Sequence, residues 1–508
     1  MKKVVLLIMM LCMALTGCQK TPDKSSVVSK ADGLSEDVIA EPLANGEKRT
    51  LDNPEHWKIN DKRSNNRVTI SADLELGKIE TGNLPVIEMK NHELEQKELE
   101  KLVLYFSGNN DLYVQQIYTK DIYQKVIDRI ENKEGTYGDT TMWTSHQELK
   151  EALKTAIKLA PDILAEPKKA EIKFQKIIDN PAFTAAQGWA GGKKDEQDSD
   201  AKNYFSVDVG REMTAHIDAE RYDSKLGNSS KFSWMQGADI VEAATIQKYK
   251  MQCKYQNDAG LDTSGYTEGY SALLSQYDAC LDQPGIEEEE GKKQAEQVLQ
   301  DLNITDMVCS SSEKILWFPK GAFPERDSLG FWSDHLWLGN LEEAETGYQY
   351  IFSANIEGIP VKQVYGTISE KTIESYTPPF PVEEITITVT KGGIRSFDWQ
   401  GMTEEVEQIA ENTELLSFET IQNQLLDQIF YWYSQQGQPV NDTTLFNYQI
   451  ISTELEYTYI PAYKEPKNAW LVPVWVFTVK ESAGEVETVQ NLSFVLSALD
   501  GGVVGRTD

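Results

Sequence analysis

The chain has 508 residues and a mass of 57.4 kDa, long enough for two or three domains that each bury a core, which excludes a small disulfide-stapled scaffold. Apolar residues at 40% and charged residues at 26% describe an ordinary globular chain and exclude a low-hydrophobicity disordered polymer. Acidic residues outnumber basic ones 81 to 49, and a net charge of −32 repels phosphate backbones, so nucleic acid is excluded as a partner.

Lys2 and Lys3 precede an apolar run from Val4 to Leu15. The run is too short to span a bilayer comfortably and has the order of an export signal, so residues 1–17 are expected to be removed. Leu15, Thr16, Gly17 and Cys18 follow one another in a pattern that resembles the lipobox of bacterial lipoproteins. The resemblance implies cleavage before Cys18 and a diacylglyceryl thioether on it, two acyl chains that hold the mature chain on the membrane. No later stretch reaches 18 uninterrupted apolar residues, so the expected location is the extracytoplasmic face of the cell membrane. Residues 18–66 read as the lipidated start and a flexible tether, with Ser25, Ser26, Pro42, Gly46 and Pro54 and no sustained apolar period; His56 and Trp57 near its end can begin the first domain.

Val68, Ile70, Ala72, Leu74 and Leu76 alternate with polar residues, the period of a strand with one buried face. A second strand near Pro85 to Met89 leads into a helix over 93–106, with Leu94, Leu99, Leu102, Val103 and Phe106 on one face. Ser145 and Glu148 form a capping box before a helix that Pro161 stops. Residues 181–203 read as an exposed loop, with Trp189 at its tip either binding a ligand or folding back on its domain. Helices are expected near 236–255 and 287–302, the second introduced by four acids from Glu287 to Glu290.

Ile385, Ile387 and Val389 alternate with threonines, then Lys391, Gly392 and Gly393 turn the chain into Ile394 to Trp399, a β-hairpin. Ser417 caps a helix with the stripe Phe418, Ile421, Leu425, Ile429 and Tyr433. Leu455 to Tyr459, Trp470 to Val479 and Val489 to Leu499 read as strands, and Asp500, Gly501 and Gly502 turn into a final short one. Pro473 inside the second predicts an edge or a bulge. The fold class is therefore α+β, antiparallel sheets with packed helices in several domains: a mixed body over 67–375, with one or two subdomains, and a carboxy-terminal α+β domain over 376–508.

Arg67 to Phe106, Tyr348 to Val364 and Leu415 to Gly505 resemble a family of functionally unassigned lipoproteins from anaerobic low-GC Gram-positive bacteria. The last domain, ending in strand, Asp-Gly turn and strand over Phe494 to Val504, is similar to PepSY and YycI-type extracytoplasmic modules. That likeness implies binding or regulation of an envelope partner and carries no catalytic motif.

No H-E-x-x-H, G-x-S-x-G, Walker or G-x-G-x-x-G pattern occurs, and His56, His92, His146, His216 and His335 are far apart, each read as surface or structural. Asp198 and Asp200 imitate a calcium loop, but Lys202, Asn203 and Val209 stand at positions that need a ligand, a glycine and a glutamate. Neither a metal nor a cofactor is expected. Trp332 and Trp337, with His335, either line a sugar or peptide groove or pack in the core. Of Cys253, Cys280 and Cys309 at most two can pair; Cys253 with Cys280 is the candidate disulfide, and three reduced thiols are the alternative.

The expected function is a non-catalytic envelope module that binds a protein, peptide or glycan. Its alternatives are a carboxylate-dependent hydrolase of cell-surface glycan, which needs only two suitably placed acids, and a solute-binding lipoprotein of a transporter. The first should show carboxylates in mismatched environments, the second two lobes around a deep cleft.

Overall fold

The computed structural model describes residues 33–34, 39, 49–115, 117–132, 146–175, 181–186, 204–222, 229–248, 250, 266–322, 340–362, 376, 379–435, 444–463, 465–484, 486–487 and 491–507. Its architecture is mixed α+β, with mostly antiparallel strands in two large sheets.

Sheet I has ten strands. Across it run Asp239–Glu242, Met307–Phe318, Glu345–Ile356, Glu384–Thr390, Gly393–Gln400, Lys231–Gln236, Ala215–Glu220, Tyr204–Val209 and Leu112–Val114, while the short strand Ile359–Pro360 pairs beside Glu345–Ile356. Its inner face carries Phe205, Val207, Ile217, Phe232, Phe397, Ile385 and Ile387 in one core with the helices Gln96–Ser107 and Glu288–Leu302. A third helix, Tyr266–Leu281, adds Leu274, Tyr277 and Leu281 against Leu316 and Phe318. Leu94, just before the cap residue Glu95, and Leu99 on the first turn share that core as a hydrophobic staple, and Glu95 and Glu98 form a reciprocal capping box. The helix expected over 93–106 thus starts three residues later, where the cap can close. The helix near 287–302 is present as Glu288–Leu302, with its acids in the first turn.

Sheet II has nine strands. Thr403–Ala410, Val86–Asn91, Glu465–Ala483, Phe446–Ala462, Val68–Glu75 and His56–Arg63 run in that order, with Val486–Glu487, Leu492–Ser497 and Val503–Thr507 attached beyond Glu465–Ala483. One face packs on the helix Phe418–Gln435 through Phe418, Ile421, Leu425 and Ile429, four members of the stripe expected from sequence. The other face is buried too, by Trp470, Val472 and Val474 with Val86 and Val495. Burial on both sides explains the nearly continuous apolar run from Trp470 to Phe477. Ser417 Oγ accepts the Thr420 N–H at 3.2 Å, and Asp52 accepts the Phe418 N–H, so two orphan donors at the helix start are satisfied.

Several expectations are corrected. His56–Arg63 is a strand paired along its length with Val68–Glu75, not part of a spacer; only Trp57 and Ile59 of its residues pack on the core, a signal diluted by the charges between them. Asp239–Glu242 is a strand rather than helical, because Ile240 and Val241 pair with Trp317 and Leu316, and a helix begins only at residue 243. Gly237, at φ +99°, makes the turn: a Cβ there would meet the Phe318 carbonyl oxygen. Pro181–Ala186, expected as loop, is a short helix whose Ala182 and Ala185 pack with Tyr123, Ile127, Leu153 and Ala156 of the helices Lys120–Asn132 and His146–Leu159.

Pro473 marks neither an edge nor a register shift. On one side Val86–Asn91 pairs with the strand up to Leu471, and Leu492–Ser497 takes over from Val474, so the proline sits in the gap where no N–H donor is needed. The hairpin Glu384–Thr390/Gly393–Gln400 forms as expected but in sheet I, beside a strand more than 160 residues upstream. Sheet II in turn joins Val68–Glu75 to Phe446–Ala462, so the division between sheets does not coincide with the boundary at 375/376.

Candidate functional site

Strand alternation that buries Ala215, Ile217 and Ala219 turns His216, Asp218 and Glu220 to the outer face of sheet I. The register then lines up mostly polar side chains across six strands. One row is Asp208, His216, Met235, Ser396, Thr388 and Gln349; the next is Ser206, Asp218, Ser233, Asp398, Thr386 and Ile351. A sheet face packed on nothing but solvent needs only solubility. This one also holds carboxylates and hydroxyls in environments that water does not fully relieve.

His216 lies between two aspartates, with Nδ1 3.1 Å from Asp208 Oδ1 and Nε2 2.7 Å from Asp218 Oδ2. Burial alone would push the imidazole down, but hydrogen bonds to Asp208 and Asp218 outweigh it and raise the pKa to about 9. Asp218 moves the other way: burial would raise it, and the imidazolium with the Ser206 hydroxyl holds it below the usual range. Ser206 Oγ is 3.5 Å from His216 Nε2, so serine, histidine and aspartate meet here. The chemistry of a nucleophile does not follow, because a protonated imidazole already donating to Asp218 cannot accept the serine proton. The cluster is a charge clamp.

Asp398 and Glu384 are raised, each mainly by burial; for Asp398, Gln400 and Lys231 offset only part of it, and for Glu384 the Asp398 charge adds to it. Near them, Thr388 Oγ1 and Ser353 Oγ are buried without hydrogen-bond partners, on residues 0% and 2% exposed, and Ser353 stands opposite Glu384. Arg395 closes one end of this face: it stacks 4.0 Å over Trp317 and donates to Glu345 Oε2 at 2.8 Å and Thr390 Oγ1 at 3.0 Å. Among the described residues no group of three histidine, cysteine or acidic side chains is placed to hold a metal ion.

A further perturbed carboxylate joins the two sheets. Glu383 Oε1 accepts from Trp399 Nε1 of sheet I and Oε2 from Thr403 Oγ1 of sheet II, both at 2.8 Å, and Tyr459 lies 3.1 Å beyond Thr403. Burial pushes its pKa to about 7 despite the Thr403 and Trp399 hydrogen bonds, and Asp306 adds to the rise. A folded-state pKa above the unfolded value means that stability from this group is complete below about pH 4.5 and is lost as pH rises through 7, by at most about 3 kcal/mol. Glu383→Gln should remove that loss, so urea unfolding of variant and parent should diverge in the variant's favour between pH 5 and pH 8. Parallel pH profiles would show the carboxylate to be solvated.

Cys18, Trp189, Cys253, Trp332, His335 and Trp337 lie outside the described residues. Cys280 packs partly buried beside Tyr277 and Leu281, but its candidate partner Cys253 is among those not described. Cys309 is partly buried, and burial pushes its thiol up, away from reactivity. His56 bridges Asp73 and Glu75, and His92 bridges Glu98 and Glu404, both ion-paired at strand surfaces. The His216 clamp was not found from sequence. Its signal was present as Ser206-x-Asp208 and His216-x-Asp218 on neighbouring alternating segments, and only the pairing register brings them together.

No family model matches the chain, and no curated protein matches it. Among solved structures, an uncharacterised protein from Eubacterium rectale ATCC 33656 is similar with a TM-score of 0.37 and 13% identity, over 89% of this chain and 93% of that one. The C-terminal domain of Bacillus megaterium YpeB aligns with a TM-score of 0.21 and 10% identity, over 66% of this chain and 98% of that domain. YycH from Bacillus subtilis aligns with a TM-score of 0.12 and 12% identity, over 79% and 95%. These are loose likenesses, and no residue role passes from them to this chain.

Proposed function

We propose that this chain is a lipid-anchored extracytoplasmic module that binds an envelope protein, peptide or glycan, and that the outer face of sheet I is where it binds. The anchor rests on Lys2, Lys3, the run Val4 to Leu15 and the lipobox-like Leu15 to Cys18. The binding site rests on one observation: two register-aligned, mostly polar rows crossing six strands, with the raised Asp398 and the unpartnered Thr388 hydroxyl among them and Glu384 and Ser353 beside them. Such a face offers donors and acceptors at fixed strand spacing to an extended polar ligand. The decisive experiment places a photo-crosslinking amino acid at Ser233, in the centre of the face, and at Lys293 on the helix Glu288–Leu302 as control, in cells retaining the anchor. A discrete partner captured from Ser233 and absent from Lys293 supports the proposal. Equal capture at both positions, or capture at neither, refutes it.

One observation favours hydrolysis at the same face. Asp398, raised, and Asp218, lowered, flank Ser233 on one row, their backbones about 10 Å apart at two strand spacings, with the opposed environments that an acid and a base require. Release of sugar from cell-wall glycan that Asp398→Asn abolishes would establish it.

A further inference from the structure

The helices Lys120–Asn132, His146–Leu159 and Pro181–Ala186 pack around their own small core. From the end of the second of these, the chain leaves that core as a surface segment in which every residue from 161 to 166 is exposed. Its apolar side chains are open to solvent: Ile163 is 79% exposed, Leu164 51%, and Leu159 at its base 53%. Isolated exposed aliphatics are ordinary, but three within six residues on one segment are not. The segment is also held at both feet. The Lys120 N–H donates to the Pro161 carbonyl at 3.0 Å, and Lys120 Nζ pairs with Asp162 at 2.7 Å. At the other foot the Val114 N–H donates to the Lys168 carbonyl at 2.8 Å, and Lys169 pairs with Asp111 at 2.8 Å. A pinned aliphatic tip loses little conformational entropy when it is covered.

The charge pattern says what covers it. A chain of net charge −32 is repelled as a whole from an anionic bilayer, so a contact with one needs a local patch that is not acidic. Here Lys158 and Lys168 flank the tip, exposed and without an ion pair among the described residues. Of the two nearby acids, Asp162 is neutralised by Lys120, and Glu166 is the one that remains. Aliphatic side chains rimmed by lysines match the acyl and headgroup layers of an anionic leaflet. The geometry points to a membrane-contacting tip: Ile163 and Leu164 dip into the anionic outer leaflet beside the amino-terminal anchor and fix the orientation of the tethered body. This rests on the anchored reading above, and the tether matters to it, because a weak contact becomes effective when the chain is already confined to the surface.

The test uses the full chain, reconstituted into vesicles of phosphatidylcholine with or without phosphatidylglycerol, with an environment-sensitive fluorescent amino acid replacing Leu164. Emission should move to shorter wavelength and be quenched by bromine-labelled acyl chains on the mixed vesicles. The same probe at Lys293 should not respond. Ile163→Glu should abolish the shift, and Lys158→Glu with Lys168→Glu should abolish the preference for phosphatidylglycerol. A probe at 164 that stays water-exposed on mixed vesicles, or that is shielded only in intact envelopes, where a protein would be covering it, overturns the inference. Incorporation of labelled fatty acid at Cys18 tests the anchor separately: acylation without a shift at residue 164 overturns the tip alone, whereas a shift at 164 without acylation overturns the anchor alone.

Discussion

His216→Gln should destabilise the protein near neutrality and do so less as the solution becomes alkaline. The imidazolium is clamped by Asp208 and Asp218, and its pKa of about 9 stands above the unfolded value near 6.5. Its contribution is therefore complete below about pH 6.5 and lost as pH rises through 9, with an upper limit of about 3 kcal/mol. Glutamine keeps a donor but not the charge, leaving two half-buried aspartates facing each other, so the loss near pH 6.5 should reach about 2 kcal/mol. Urea midpoints for parent and variant should converge by pH 10. A constant difference across that range would mean that His216 acts by packing alone.

The second large effect reverses a propensity rule. Gly347 lies inside the strand Glu345–Ile356, between Ile315 and Thr390, where a β-branched residue would ordinarily be welcome. A Cβ at this position, however, would collide with the Val389 carbonyl oxygen, which is backbone in the neighbouring strand and cannot rotate away. Gly347→Val should force these two neighbouring strands of sheet I apart at a cost of about 3 kcal/mol, the upper part of the range for overpacking. Thermal unfolding is the measurement, with Ile351→Val, on the same outer face of this strand but with a side chain already accommodated, as the comparison. If the glycine substitution is no worse than that control, the strand spacing there is adjustable.

What was legible in the sequence is what depends on neighbours along the chain. The alternation from Val68 to Leu76, the stripe from Phe418 to Ile429 and the Asp500-Gly501-Gly502 turn each state their own local geometry, and each is present. Helix Tyr266–Leu281 was missed although Leu274, Tyr277 and Leu281 have helical spacing, because the polar and aromatic residues around them blur the stripe. The outer face of sheet I was not legible at all. Its rows combine strands separated by as many as 190 residues, and a shift of one position in any pairing would send Asp398 or His216 into the core. Pro473 shows the same limit: the residue announced a missing donor, but only the handover between Val86–Asn91 and Leu492–Ser497 shows how the chain accommodates it.

The parallel pairing of Phe446 to Ile450 with Val68 to Ala72 bears on biosynthesis. Nearly four hundred residues separate those partners, so during translation the early strand emerges long before the one that completes its neighbourhood. Until then it offers bare main-chain donors and acceptors to any passing polypeptide. A ribosome that stops short of residue 446 would release a molecule with that edge permanently open, prone to aggregation and a ready target for quality-control proteases.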